Sequence, residues 1–135
     1  SDNVTVYLAS GEEVPPTGDV DLMLTLDCLH DMPRPDLAMA AIRRAVADDG
    51  TWLVKEIRSA PEWGQNLRNP MLAMMYSTSV ASCMASAMST PDGLGLGTLG
   101  LDPVTLEAMV TEAGFSQFTL HEVEDPTNLY YEVRP

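Results

Sequence analysis

Asp27, Cys28, His30 and Asp31 gather at the end of one apolar run, Val20 to Pro33, VDLMLTLDCLHDMP. These are groups that exchange protons or bind polar ligands. The imidazole matters most, because its ordinary pKa lies near neutrality. Leu22, Met23, Leu24 and Leu26 precede the cluster with little alternation of polarity, which predicts a strand buried on both faces. Polar residues placed where such a strand ends suit an open α/β sheet, whose ligands bind beyond the carboxyl ends of its strands. Pro33 and Pro35 then stop the strand and turn the chain toward a helix.

The elements that must hold this cluster are predicted on both sides of it. Val4–Ala9, VTVYLA, is rich in β-branched and aromatic residues and predicts a strand ending at Ser10-Gly11. Glu12 to Asp19, with two prolines and a glycine, predicts a loop. Asp36 to Ala47 predicts a helix capped by Asp36, striped by Leu37, Ala38, Ile42 and Val46, and closed by Gly50. Thr51 to Ile57 predicts the next strand. Two strands joined by a helix imply a right-handed crossover and a parallel pair, and hence an α/β sheet.

Arg58 to Asn69 predicts a loop, and Met71 to Met88 a helix holding five of the nine methionines. The apolar residues of that helix fall on more than one face, so it is expected to be enclosed by several partners. Methionine adapts to irregular shapes, so the helix is a candidate wall for a small-molecule pocket or a subunit interface; plain core is the commoner use. Thr90 to Gly100 predicts a glycine-rich connection. Within it Gly95, Gly97 and Gly100 match G-x-G-x-x-G, but a phosphate-cradling loop must follow a strand and open a helix, and this one follows a helix. Asp102 and Pro103 open a helix whose inward residues are Leu106, Met109, Val110 and Ala113, with Gly114 as its stop. Ser116–Val123 and Leu129–Val133 predict two strands joined by a turn short enough to make them antiparallel.

Composition narrows the function classes. The 135 residues suit one domain, and 45% apolar with 20% charged residues is the balance of an ordinary soluble globular protein. A net charge of −13, from twenty acidic residues against one lysine and six arginines, repels polyanions. Nucleic acid and acidic membrane surfaces are therefore not expected as partners. Cys28 and Cys83 form no disulfide framework and no metal-ligand spacing, so no metal is expected; both read as small buried groups of a reducing compartment. With no signal peptide and no membrane-spanning run, a cytoplasmic location is expected.

Two stretches, GDVDLMLTLDCLHDMPRPDLAMAAIRRAVADDGTWLVKE and LEAMVTEAGFSQF, resemble the C-terminal half of a class I S-adenosylmethionine-dependent methyltransferase domain. The first is similar to that family's fourth strand, following helix and fifth strand. The second is similar to its penultimate helix running through A-G-F into the sixth strand. DCLHDMP is most similar to small-molecule methyltransferases that carry an N-terminal winged-helix dimerisation domain. The resemblance implies a partial Rossmann-like sheet, with parallel strands, a C-terminal antiparallel pair, and the first two strands lacking. It also implies S-adenosylmethionine as cofactor and a small-molecule methyl acceptor.

By the same resemblance, Ser10, Gly11 and Glu12 follow the third strand where the chain approaches the adenine, and Leu26, Asp27 and Cys28 line the cofactor's other side. His30 and Asp31 become the candidate catalytic pair. His30 would serve as a base on the acceptor, or only cap the strand end; Asp31 would face substrate, or only fix the turn. Orientation alone can suffice for methyl transfer. The family's glycine-rich loop and the acidic residue that holds the ribose are not found here. The chain is therefore expected to be a fragment or a truncated product that binds cofactor poorly alone. It is also expected to be a homo-oligomer, or to need an N-terminal half, because open sheet edges must be covered. The competing reading is a non-catalytic module serving dimerisation or binding.

Overall fold

The computed structural model describes residues 3–135. Four strands form one mixed sheet in the order β1-β2-β4-β3, with β1 at Val20–Leu26, β2 at Val46–Ile57, β3 at Gln117–His121 and β4 at Asn128–Arg134. β1 and β2 run parallel, as the crossover through α1 (Pro35–Ala45) requires. β2 with β4, and β4 with β3, are antiparallel. The architecture is α/β, with the parallel pair and the C-terminal antiparallel pair that the sequence predicts.

The core lies on one face of this sheet. Trp52, Val54, Tyr131 and Val133 point inward, where Met39 and Ile42 of α1 and Leu106 and Val110 of α5 (Pro103–Glu112) close over them. Each such side chain gains roughly 1.5–3 kcal/mol from leaving water. Trp52 and Phe115 are in ring contact at 5.3 Å, and Trp52 Nε1 donates to Thr25 Oγ1 at 3.1 Å. The opposite face is open. Leu22, Leu24 and Leu26 are 54%, 52% and 60% exposed. This corrects the expectation that β1 is covered on both sides: its outward residues have no layer above them among the described residues.

Other boundaries move for identifiable reasons. Residues 4–9 form no strand and are exposed, with Val6 and Leu8 almost bare. Their β-branched composition favours a strand, but that propensity yields no ladder without a paired neighbour. α1 begins one residue earlier than predicted, with Pro35 in its first turn, and Asp36 is held by Arg34 instead of capping. Gly50 does not close α1; it sits in β2, at an irregularity where Val20 faces Val46 and Leu22 already faces Thr51. A Cβ at Gly50 would stand 2.6 Å from the Val20 carbonyl oxygen, so the close approach of the two strands there needs glycine. The loop predicted over 58–69 contains one short helix, α2 (Trp63–Asn66).

The methionine-rich helix is the largest correction. It runs as α3 (Leu72–Thr78), a π-helical turn (Ser79–Cys83) and α4 (Met84–Ala87). Only one line of it is buried, Met75, Ser79, Cys83 and Ala87, while Met71, Met74, Val80 and Met88 are exposed. A stripe repeating every four residues drifts by roughly 40° per step on a regular α-helix. The wider π turn takes up part of that drift and keeps the line facing the protein. Gly95 and Gly97, both at positive φ, lie against Met88 and Met84 of this helix. The predicted cap and stop of α5 hold: the Asp102 carboxylate accepts from the Val104 and Thr105 amides, and Gly114 follows at φ 97°.

Candidate functional site

The shared carboxyl ends of β1 and β2 carry the polar cluster, and the antiparallel β4 contributes its first residue, Asn128, to the same rim. Asp27 leaves β1 in the left-handed region, φ 53°, which aspartate tolerates better than most residues. Its amide donates to the Lys55 carbonyl, and its carboxylate is gripped by Lys55 Nζ and Asn128 Nδ2, each at 2.5 Å. Both carboxylate oxygens of Asp27 are thus engaged by the protein itself. That grip also holds the Lys55 ammonium above its usual range.

His30 lies within the next turn, Leu29–Asp31, and is 4% exposed. Its Nδ1 is 2.6 Å from Glu56 Oε2, and its Nε2 is 3.4 Å from Asp31 Oδ1. Glu56, 1% exposed, also accepts from the Leu29 amide at 2.9 Å. Burial pushes the imidazole pKa down, but the hydrogen bond and charge of Glu56, with Asp31 and Asp27 nearby, outweigh it and leave His30 raised. Burial pushes the Cys28 thiol up, and the surrounding carboxylates add to that, so Cys28 is a poor nucleophile.

Cys83, on the π turn, meets this cluster from the other side. Ligating atoms of His30, Asp31 and Cys83 all lie within 4.8 Å of one another. Thr98 Oγ1 donates to Cys83 Sγ at 3.1 Å. Burial pushes this thiol up, opposed by the Thr98 hydrogen bond and reinforced by Asp31.

The predicted cofactor residues are not gathered in one hollow. Ser10 and Gly11 line a cavity of about 510 Å³ with Tyr7, Val14, Pro15 and Met32. Glu12 shares with them the short helical turn Gly11–Glu13, which packs on the start of α1; a Cβ at Gly11 would stand 3.1 Å from both Met32 Sδ and Ala38 Cβ. Leu26 lines a different hollow, of about 350 Å³, on the open sheet face with Leu24, Leu53 and Lys55. Asp27, Cys28, His30 and Asp31 form the packed rim. Glu56, which the sequence places only within the predicted strand Thr51–Ile57, is the buried partner on which this cluster turns. Its place in TWLVKEI, in phase with the inward Trp52 and Val54, is the signal that marks it as buried.

The fold is shared with solved structures. A candidate O-methyltransferase from Nostoc punctiforme is 23% identical at a TM-score of 0.66, covering 92% of this chain and 34% of that one. The fold is that of the C-terminal part of a class I methyltransferase domain. The trans-methyltransferase CalH, solved with S-adenosylhomocysteine, is similar at 15% identity and a TM-score of 0.66, covering 99% of this chain and 36% of that one. Human N-acetylserotonin methyltransferase, solved with S-adenosylmethionine, is 18% identical at a TM-score of 0.59, covering 93% and 33%. The chain thus spans about a third of the methyltransferase chains it resembles. No protein-family model and no curated protein matches its sequence. Among the described residues, no helix is long and apolar enough to cross a membrane.

Proposed function

We propose that this chain is the C-terminal part of an S-adenosylmethionine-dependent methyltransferase acting on an oxygen or nitrogen nucleophile of a small molecule. In this reading it works within a longer or assembled protein and does not hold the cofactor alone. The observation that carries the reading is the methyltransferase fold along nearly the whole chain, against about a third of each matched chain. The sulfonium donor brings its own activation: the acceptor's lone pair bonds the methyl carbon as the carbon–sulfur bond breaks, and the acceptor's proton leaves. What remains for the protein is chiefly alignment.

Asp27 and Cys28 belong to the rim that would face the donor, with Leu26 just before them on the open sheet face, and Ser10, Gly11 and Glu12 form the turn beside Met32 that would approach its adenine. To His30 we assign a holding part: with Glu56 on one nitrogen and Asp31 near the other, it fixes the turn after β1 and is not free to meet an acceptor. Asp31, whose side chain is 39% exposed, is the better placed of the pair to touch substrate. A second reading, assembly without catalysis, is favoured by the open leucine face of β1.

Calorimetric titration with S-adenosylhomocysteine tests the proposal on two samples, the 135-residue chain and the product of its coding sequence extended upstream. Micromolar binding by the extended protein and none by the chain is the expected result. Binding by neither removes the methyl-transfer reading and leaves assembly; binding by the chain alone removes the need for a missing half.

A further inference from the structure

The residues around Cys83 are assembled like the ligands of a small cation site. In a tetrahedral zinc centre with metal–ligand bonds of roughly 2.0–2.3 Å, neighbouring ligand atoms stand about 3.3–3.7 Å apart. His30 Nε2 and Asp31 Oδ1 stand 3.4 Å apart, and Cys83 completes a set in which every ligating atom lies within 4.8 Å of the others. Three further features suit a metal. Asp31 Oδ1 is fully buried and makes no well-aligned hydrogen bond, its near neighbours being His30 Nε2 at 3.4 Å and the Cys83 thiol, although the rest of its side chain reaches solvent. The other nitrogen of His30 is held by the carboxylate of Glu56, the arrangement by which ligating histidines are oriented and made more basic. Cys83 itself is presented by a π turn, a local irregularity common at functional sites, and its sulfur receives the Thr98 hydroxyl.

We propose that His30, Asp31 and Cys83 form a binding site for a borderline-soft divalent transition cation, Zn²⁺ by preference, which clamps the turn after β1 to the methionine-rich helix. One nitrogen, one oxygen and one sulfur donor match zinc better than calcium or magnesium, which take oxygen ligands. The fourth position falls to water or to the neighbouring Thr98 hydroxyl. The cation takes the neutral imidazole nitrogen and the thiolate, so the thiol proton, and any proton on Nε2, is released to solvent on binding. The site ties together residues far apart in the sequence, so its contribution is to the order of the rim, independent of whether methyl transfer occurs there.

Cobalt is the probe. The reduced, chelator-treated 135-residue chain is titrated with Co²⁺ alone and followed by absorption. The expected result is saturation at one equivalent, with a near-ultraviolet thiolate-to-cobalt band, visible bands of tetrahedral intensity, and loss of both when Zn²⁺ is added. C83S is expected to abolish the thiolate band, and D31N to weaken Co²⁺ binding at least tenfold. E56Q, acting through His30, is expected to weaken it roughly tenfold to a hundredfold. No thiolate band in the wild-type chain, or the same band in C83S, overturns the site. Should C83S not fold by circular dichroism, D31N decides: unchanged Co²⁺ affinity and an unchanged zinc-induced rise in melting temperature refute the proposal.

Discussion

On the inward face of the sheet, Trp52, Val54 and Tyr131 are sealed beneath α1 and α5, and Glu56 is buried against the turn Leu29–Asp31. On the outward face, Leu22, Leu24 and Leu26 stand half exposed with no described element above them. Both faces come from the same strands, and on β1 the outward side is the more leucine-rich. The inward face carries the stability of the described chain. The outward face leaves its leucines in water, and an exposed apolar patch on a sheet is the kind of surface on which proteins, membranes or ligands dock. The same division runs through the polar groups: Glu56 and His30 are locked on the inward side of the rim, whereas Lys55 lies on the open side and reaches over to Asp27.

The contrast can be broken most severely at Glu56. E56A leaves the Leu29 amide and His30 without their buried partner, and losing one member of such a pair costs about 3–5 kcal/mol. Urea denaturation is expected to show much of the chain's stability gone; a change below about 1 kcal/mol would mean the cluster is far more hydrated than its burial implies. A matched pair of leucine truncations sharpens the comparison. L106A, under the sealed face, is expected to cost about 2–5 kcal/mol. L24A, on the open face, is expected to change the unfolding free energy by no more than about 0.5 kcal/mol when unfolding is measured at dilution. Equal costs would show that the two faces are equally packed.

The smallest effect lies at the turn leading into β4. The Asp125 carboxylate accepts from the Thr127 amide at 2.8 Å, and from the Tyr130 hydroxyl, the Thr127 hydroxyl and the Asn128 amide, which holds its pKa well below the usual carboxylate range. A depressed folded-state pKa gives stability that is fully present above the unfolded value of about 3.9 and is lost as pH falls through the folded value. Thermal melts between about pH 5 and pH 2 are therefore expected to fall less steeply for D125N than for the wild type. Parallel slopes would show that this turn does not discriminate between protonation states.

What could be read from the sequence followed local rules. The existence and order of β1, α1, β2 and α5 were legible because each carries a local apolar pattern, and α5 was legible to its ends because Asp102 and Gly114 mark them. The Val4–Ala9 strand was not, because a strand depends on a neighbour, and propensity says nothing of whether one is present. Gly50 was misplaced because a glycine after a helix and a glycine in a strand irregularity look alike until the partner strand is seen. At the site, the cluster of Asp27, Cys28, His30 and Asp31 was visible as a stretch. Its chemistry was not, since that depends on Glu56 from β2 and Cys83 from the methionine-rich helix, which only the fold brings to it.

Sedimentation velocity of the 135-residue chain at micromolar concentration tests most directly whether the open face is a surface awaiting cover. The expected result is a species heavier than the 14.6 kDa of one chain, returned to that mass by a charge introduced at the face, as in L24D. A single 14.6 kDa species for the wild type would contradict it, since the leucines of β1 would then be stable in water without further protein.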